Sequence, residues 1–169
     1  LVYFGRKIAY GNGMYPYGLV GNCQTSALIG LNGGVEWMCA PRPDSPPVFG
    51  RLLDPDGGHF SITSMGSFTD IRTEQRYLPN TNILLTTVTS SNGDAFQITD
   101  FCPRFEQYGR IYRPAALFRL VEPLQGIPAI RVSCQPVSGW EKTPVPPVRG
   151  SNHLRYDIRG ESLRLLTNM

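Results

Sequence analysis

The sequence predicts an all-β fold, a sandwich or barrel of about ten strands. Three observations predict it. Gly (18) and Pro (15) make 33 of the 169 residues and are dispersed rather than repeated, which is the punctuation of many short strands. Runs rich in Val, Ile, Thr, Tyr and Phe recur between those breaks, several alternating with a period of two. No stretch carries the apolar period of a helix, so βαβ units are not expected.

Taken in order, residues 1–22 are rich in Gly, Tyr and Asn and read as an irregular arm. The first hairpin pairs Ser26 to Leu31 with Val35 to Cys39 around Asn32-Gly33-Gly34, where Asn and Gly supply the positive φ of a tight turn. Alternation puts Glu36 on the face opposite Val35 and Trp37. Residues 40–47 then carry four prolines in eight positions and must leave the sheet, because proline has no N–H to donate. Val48 to Leu53 reads as a strand or a short helical turn, Asp54 to Gly58 as a turn, and His59 to Thr63 as a strand. The strongest hairpin joins Ile83–Ser90 to Ala95–Cys102 through Ser91-Asn92-Gly93-Asp94, with Phe96 and Ile98 on one face. Leu117 to Glu122 and Ala129 to Cys134 form the next expected pair. Residues 136–153 are a Pro/Gly-rich connection, and Leu154 to Leu166 gives two more strands around Gly160. The expectation is a single sandwich domain over 1–169.

The net charge is +3, and the arginines are spread singly from Arg6 to Arg164. Nothing forms the basic stripe or the reading helix that nucleic acid would require. Cys23, Cys39, Cys102 and Cys134 have no CxxC spacing, and His59 and His153 stand apart, so neither metal nor cofactor is expected. Buried free thiols are the expected state, with a single disulfide as the alternative. No apolar run is long enough for a membrane span, and no signal peptide is visible, which points to the cytoplasm.

A specific likeness enters at residues 16–53. Pro16-Tyr-Gly-Leu-Val-Gly-Asn-Cys-Gln-Thr-Ser-Ala-Leu-Ile-Gly30, followed by Leu31-Asn-Gly-Gly-Val-Glu-Trp-Met-Cys-Ala-Pro-Arg-Pro-Asp-Ser-Pro-Pro-Val-Phe49, resembles the opening of glycoside hydrolase family 15, the glucoamylase and trehalase-like enzymes. Gln75 to Leu84, Ile98 to Pro103 and Pro114 to Gly126 are similar to later stretches of the same family in order and spacing. Glu36 stands where Asp is usual, Pro43 where Phe is usual, and Asn32-Gly33-Gly34 replaces Asp-Gly-Ser.

The resemblance implies that this all-β chain is an antiparallel two-sheet super-sandwich of about ten or more strands, followed by an (α/α)6-barrel carrying two catalytic glutamates. Inverting hydrolysis needs a carboxylic acid and a carboxylate about 6.5–9.5 Å apart. No residue of this chain matches the family's catalytic motifs, so the barrel is expected to lie outside it. The expected function is that of an accessory domain in an inverting α-glucoside hydrolase acting on trehalose or α-glucosidic oligosaccharide; the alternatives are a freestanding carbohydrate-binding module and an interaction domain with no carbohydrate role. Its expected partner is its own C-terminal catalytic domain.

Trp37, Arg42 and Asp44 are the candidate residues for the rim of the substrate pocket. The aromatic face suits the C–H surface of a sugar, and the charged pair suits its hydroxyls. The alternative is that Trp37 is core and Arg42–Asp44 braces a loop. Glu36, Asp100, Glu106 and Glu122 lack a partner nearby in sequence and read as solvated or capping groups rather than an acid/base pair. Ser26 and Ser45 lack a nucleophile elbow, and the glycine pairs at 11–13 and 33–34 are turns. Tyr10, Tyr15, Tyr17, Tyr108, Tyr112 and Trp140 are expected in loops, as in a freestanding carbohydrate-binding module or at the interface of a docking domain.

Overall fold

The computed structural model describes residues 16–65 and 71–168. In chain order the strands are β1 (Tyr17–Gly21), β2 (Ser26–Gly30), β3 (Val35–Cys39), β4 (Pro47–Phe49), β5 (His59–Ser64) and β6 (Arg72–Tyr77). Then follow β7 (Leu84–Thr89), β8 (Ala95–Phe101), β9 (Phe105–Gln107), β10 (Arg110–Tyr112), β11 (Phe118–Gln125) and β12 (Ile130–Gln135). The last are β13 (Val137–Ser138), β14 (Thr143–Pro144), β15 (Val148–Arg149), β16 (His153–Ile158) and β17 (Glu161–Leu166). A single 3-10 turn at Gly139–Glu141 is the helical element among the described residues.

Every pairing is antiparallel. A six-stranded sheet runs β1-β2-β3-β5-β12, with β4 also on β3, and a four-stranded sheet runs β11-β8-β7-β6. Both contribute to each of two adjoining cores. One gathers Val20, Ile29, Val35, Met38 and Phe49 with Leu84. The other joins Ile62 to Val88, Phe96 and Ile98. The three-stranded sheet β15-β16-β17 adds Tyr156 and Ile158 to the first core. Burying each such aliphatic or aromatic side chain contributes about 1.5–3 kcal/mol.

The hairpins form where turn residues permit them. In the β2–β3 turn the Asn32 side chain accepts the Gly34 N–H at 2.8 Å, and Gly33 takes φ +74°. A Cβ at Gly33 would also meet the terminal methyl of Ile98 at 2.8 Å and displace it, but it is the conformation that demands glycine there. Leu154 to Leu166 forms the expected pair, β16 with β17.

Three readings change. Residues 17–21 are not part of an irregular arm but strand β1, paired with β2; the rest of that arm up to residue 15 lies outside the described residues. β6 carried no recognisable alternation in Arg-Thr-Glu-Gln-Arg-Tyr, because it is an edge strand whose exposed positions need no apolar face. β11 and β12 do not pair with each other. β11 joins β8 and β12 joins β5, so the segment between them crosses from one sheet to the other.

Candidate functional site

The aim of Trp37 is set by a break in the β2–β3 ladder. Leu28 opposes Trp37 and Ile29 opposes Val35, which leaves Glu36 as an extra residue on β3. Such a bulge restarts the alternation. Val35 and Met38 therefore both enter the core, and Trp37 turns outward, away from the face it was expected to share with Val35.

Outside, Trp37 meets Trp140 from the 3-10 turn, with ring centroids 5.9 Å apart and planes tilted by 46°. The two rings line a small cleft of about 60 Å³ with Pro47, Gly50, Leu53 and Lys142. Trp140 is 63% exposed and Leu53 69%. Lys142 donates to Asp54 Oδ2 at 2.7 Å beside them. That hydrogen bond, with a second from the Asp56 N–H, holds the Asp54 carboxyl below its ordinary range, and the same bond raises the Lys142 ammonium.

Arg42 and Asp44 come together as the sequence suggested. The guanidinium donates from Nε and Nη2 to the two carboxylate oxygens, both at 2.9 Å, the parallel geometry that makes arginine–carboxylate pairs directional. The side chains are 65% and 68% exposed on the proline-rich loop after β3. Ser45 fixes that loop: its Oγ accepts the Arg42 N–H at 3.3 Å and its own N–H reaches the Arg42 carbonyl at 3.0 Å. Burial raises the pKa of the Cys39 thiol, with Trp37 lowering it and Asp44 adding to the rise. The exposed Trp140 ring can stack on an apolar face, and the exposed Arg42–Asp44 pair can hydrogen-bond to hydroxyls or to a second protein surface.

Of the remaining carboxylates, Glu36 and Asp100 are each paired with an arginine. Glu36 is buried at 8% exposure and meets Arg51 Nε at 3.4 Å and the Asn32 side chain at 3.5 Å. Asp100 is fully buried and opposes Arg119 directly across the β8–β11 ladder. Arg119 donates to it from Nε at 2.7 Å and Nη2 at 3.2 Å, and donates to the carbonyls of Phe60 and Gly33 as well. Burial raises the Asp100 pKa while Arg119 pulls it down. Neither is the solvated or capping group expected from sequence, because each partner arrives from a distant turn or strand. Glu106 and Glu122 are exposed.

Of the loop aromatics, Tyr17 lies in β1, Tyr112 in β10 stacks with Phe105 at 5.6 Å, and Tyr108 is exposed in the β9–β10 turn. Tyr10 and Tyr15 lie outside the described residues. Trp140 was grouped with these and not with Trp37; 103 positions separate the two rings, and no local pattern joins them. Among the described residues all four cysteines are free, no His, Cys, Asp and Glu group could hold a metal ion, and no helix is long and apolar enough to cross a membrane.

Asn22 of the densest sequence motif braces the fold. Asn22 accepts the Gln24 and Thr25 N–H groups and donates to the Pro103 and Pro114 carbonyls, both at 2.8 Å, so one buried amide ties the β1–β2 turn to both ends of the segment between β8 and β11. Gln75 does the same for β2 and β7, donating to the Gly30 carbonyl at 2.7 Å and to Thr86 Oγ1 at 3.0 Å.

The family described as "Trehalase-like, N-terminal" matches residues 11–155. The chain is 46% identical over 77 residues to a trehalase of Mycolicibacterium smegmatis, a match covering 46% of this chain and 11% of that protein. It is 47% identical over 91 residues to trehalase 1 of Sulfolobus acidocaldarius, covering 54% and 15%. With the trehalase of Mycobacterium tuberculosis it shares 32% identity over 139 residues, covering 75% and 20%. The chain thus spans a fifth or less of these relatives' lengths, and no solved structure matches it. A match that runs in order through both main sheets, from β1 into β16, shows that the chain belongs to the family of trehalase-like N-terminal domains.

Proposed function

We propose that the chain is the accessory N-terminal domain of an inverting α-glucoside hydrolase of glycoside hydrolase family 15, of trehalase or glucoamylase type. The observation that carries this is the family match over residues 11–155, joined to relatives named trehalase that are at least five times longer than the matched segment. The two buried carboxylates are consistent with it, because Glu36 and Asp100 are each paired with an arginine. In this reading hydrolysis belongs to a C-terminal (α/α)6-barrel, and the sandwich stabilises that barrel. Trp37, Arg42 and Asp44, with Trp140 beside them, border the entrance through which trehalose or an α-glucosidic oligosaccharide arrives.

The test is glucose release from trehalose and from maltose, by this chain and by the intact gene product. The chain is expected to release none and the intact protein to release β-glucose first, as inversion requires. Hydrolysis by the chain alone would overturn the accessory role. Tight maltooligosaccharide binding by the isolated chain would favour a freestanding carbohydrate-binding module instead.

A further inference from the structure

β1 is the outer strand of the six-stranded sheet, and β6 is the outer strand of the four-stranded one. The Asn22 N–H donates to the Thr25 carbonyl at 3.1 Å, and from that bond the β1–β2 ladder alternates. Gly18 and Val20 therefore bond to β2, while Tyr17, Leu19 and Gly21 turn their N–H and C=O groups away from it. β1 reads Tyr-Gly-Leu-Val-Gly, with no charge and no proline, and Leu19 is 52% exposed. An edge of that kind templates a further strand unless it is covered.

The turn after β6 supplies the cover. The Tyr77 hydroxyl accepts the Leu19 N–H at 2.7 Å and donates to the Leu19 carbonyl at 2.9 Å, so one O–H occupies both groups at the middle of the edge. Asn82 donates from Nδ2 to the Gly21 carbonyl at 3.0 Å. The turn between these two side chains is itself fixed. The Leu78 N–H reaches the Ile83 carbonyl at 2.9 Å, and Asn80 takes φ +60°, a conformation asparagine tolerates. Thr81 Oγ1 donates to the Leu78 carbonyl at 2.9 Å and accepts the Ile83 N–H at 3.1 Å. With Gln75 bonded to Gly30, three polar side chains of the stretch from Gln75 to Leu84 end on backbone of the six-stranded sheet.

We propose that Tyr77 and Asn82 form a plug that keeps the β1 edge from pairing with β1 of a second copy of this protein. The excluded partner is a second copy because the outward groups are arranged symmetrically about Leu19. Two β1 strands can lie antiparallel with Leu19 opposite Leu19, exchanging the same N–H and C=O that Tyr77 holds. The two exposed leucines then meet on one face, and β1 carries no charge to oppose them. Plug and partner compete for one pair of backbone groups, so the presence of either excludes the other. Removing the Tyr77 hydroxyl keeps the ring but frees both groups. The plug acts on the edge whatever reaction the protein catalyses.

Tyr77→Phe in the intact gene product tests it, with mass followed by sedimentation velocity and exchange of the Leu19 amide resolved by fragmentation mass spectrometry. The variant is expected to gain a reversible, concentration-dependent association that wild type lacks. Its Leu19 amide should exchange about tenfold faster than in wild type when dilute, and slow again as the copies associate. Adding Leu19→Lys sets like charges opposite each other in the paired edge, and is expected to restore the wild-type mass at every concentration. A Tyr77→Phe variant with wild-type mass at every concentration overturns the proposal. Equal association of the single and double variants also overturns it, because surface other than the β1 edge then holds the copies together. Wild type gives a reading independent of how the variants fold: a Leu19 amide that exchanges as fast as in an unstructured peptide overturns the plug.

Discussion

Replacing Arg119 with methionine removes the clasp between the two main sheets. The guanidinium spans β11, β5 and the β2–β3 turn, making four hydrogen bonds from a side chain only 3% exposed, and it lies 4.8 Å over the Phe60 ring. The variant leaves Asp100 as a fully buried carboxylate without a counter-charge and strips the Phe60 and Gly33 carbonyls of a donor. Breaking a buried pair from one side costs about 3–5 kcal/mol, chiefly through the charge left behind. That is a large share of the roughly 5–15 kcal/mol by which domains are stable. With a urea m-value of about 2 kcal/mol/M, the midpoint falls by about 2 M. Urea titration followed by the fluorescence of Trp37 and Trp140 reads it directly. The double variant R119M/D100L is expected to recover at least half of the loss, since no orphan charge remains.

The pH dependence gives a second check on the same residue. Burial raises the Asp100 pKa above its unfolded value, and removing Arg119 takes away the group that opposes the rise. A carboxyl raised on folding binds more protons folded than unfolded, so the variant gains stability relative to wild type as pH falls through that raised value. A midpoint shift below about 0.5 M, or a deficit that grows on acidification, would refute the clasp.

Arg42→Ala removes an exposed ion pair, which contributes about 0–1 kcal/mol, so melting is expected to be nearly unchanged. Under the proposed function, KM for trehalose of the intact gene product is expected to rise severalfold; an unchanged KM counts against the rim assignment. His59 is neutralised by burial and by nearby Arg51, which place its pKa below the unfolded value of about 6.5. The stabilisation is therefore present above that value and lost as pH falls through the lower folded one. His59→Gln should flatten the wild-type decline in urea midpoint between about pH 7.5 and 5, and an equally steep decline would exclude His59 as its source. Burial pushes the Cys102 and Cys134 thiols up to about 11, so iodoacetamide at mildly alkaline pH should alkylate the exposed Cys23 well before them. Peptide mapping that finds all three labelled at one rate would contradict that burial.

Much of the sandwich was legible from local pattern. β3, β5, β8, β16 and β17 lie where alternation and turn residues put them, because a half-covered strand must segregate its faces and a tight turn needs Asn or Gly. The proline-bent loop was equally plain, and with it the two-residue spacing that makes Arg42 and Asp44 neighbours.

Tertiary structure decided what local pattern cannot carry. The outward turn of Trp37 comes from a bulge, visible only when β2 and β3 are laid in register. Trp140 joins it from 103 positions away. Asp100 looked solvated until β11 set Arg119 opposite it, and Glu36 until the chain after β4 returned Arg51 to it. Periodicity reports which face of a strand is apolar, since that is a property of consecutive residues. Partner choice among strands is settled by which faces close on a common core, and so the sheet changes between β11 and β12, the clasp at Arg119 and the hold of Tyr77 on the β1 edge emerge only on folding.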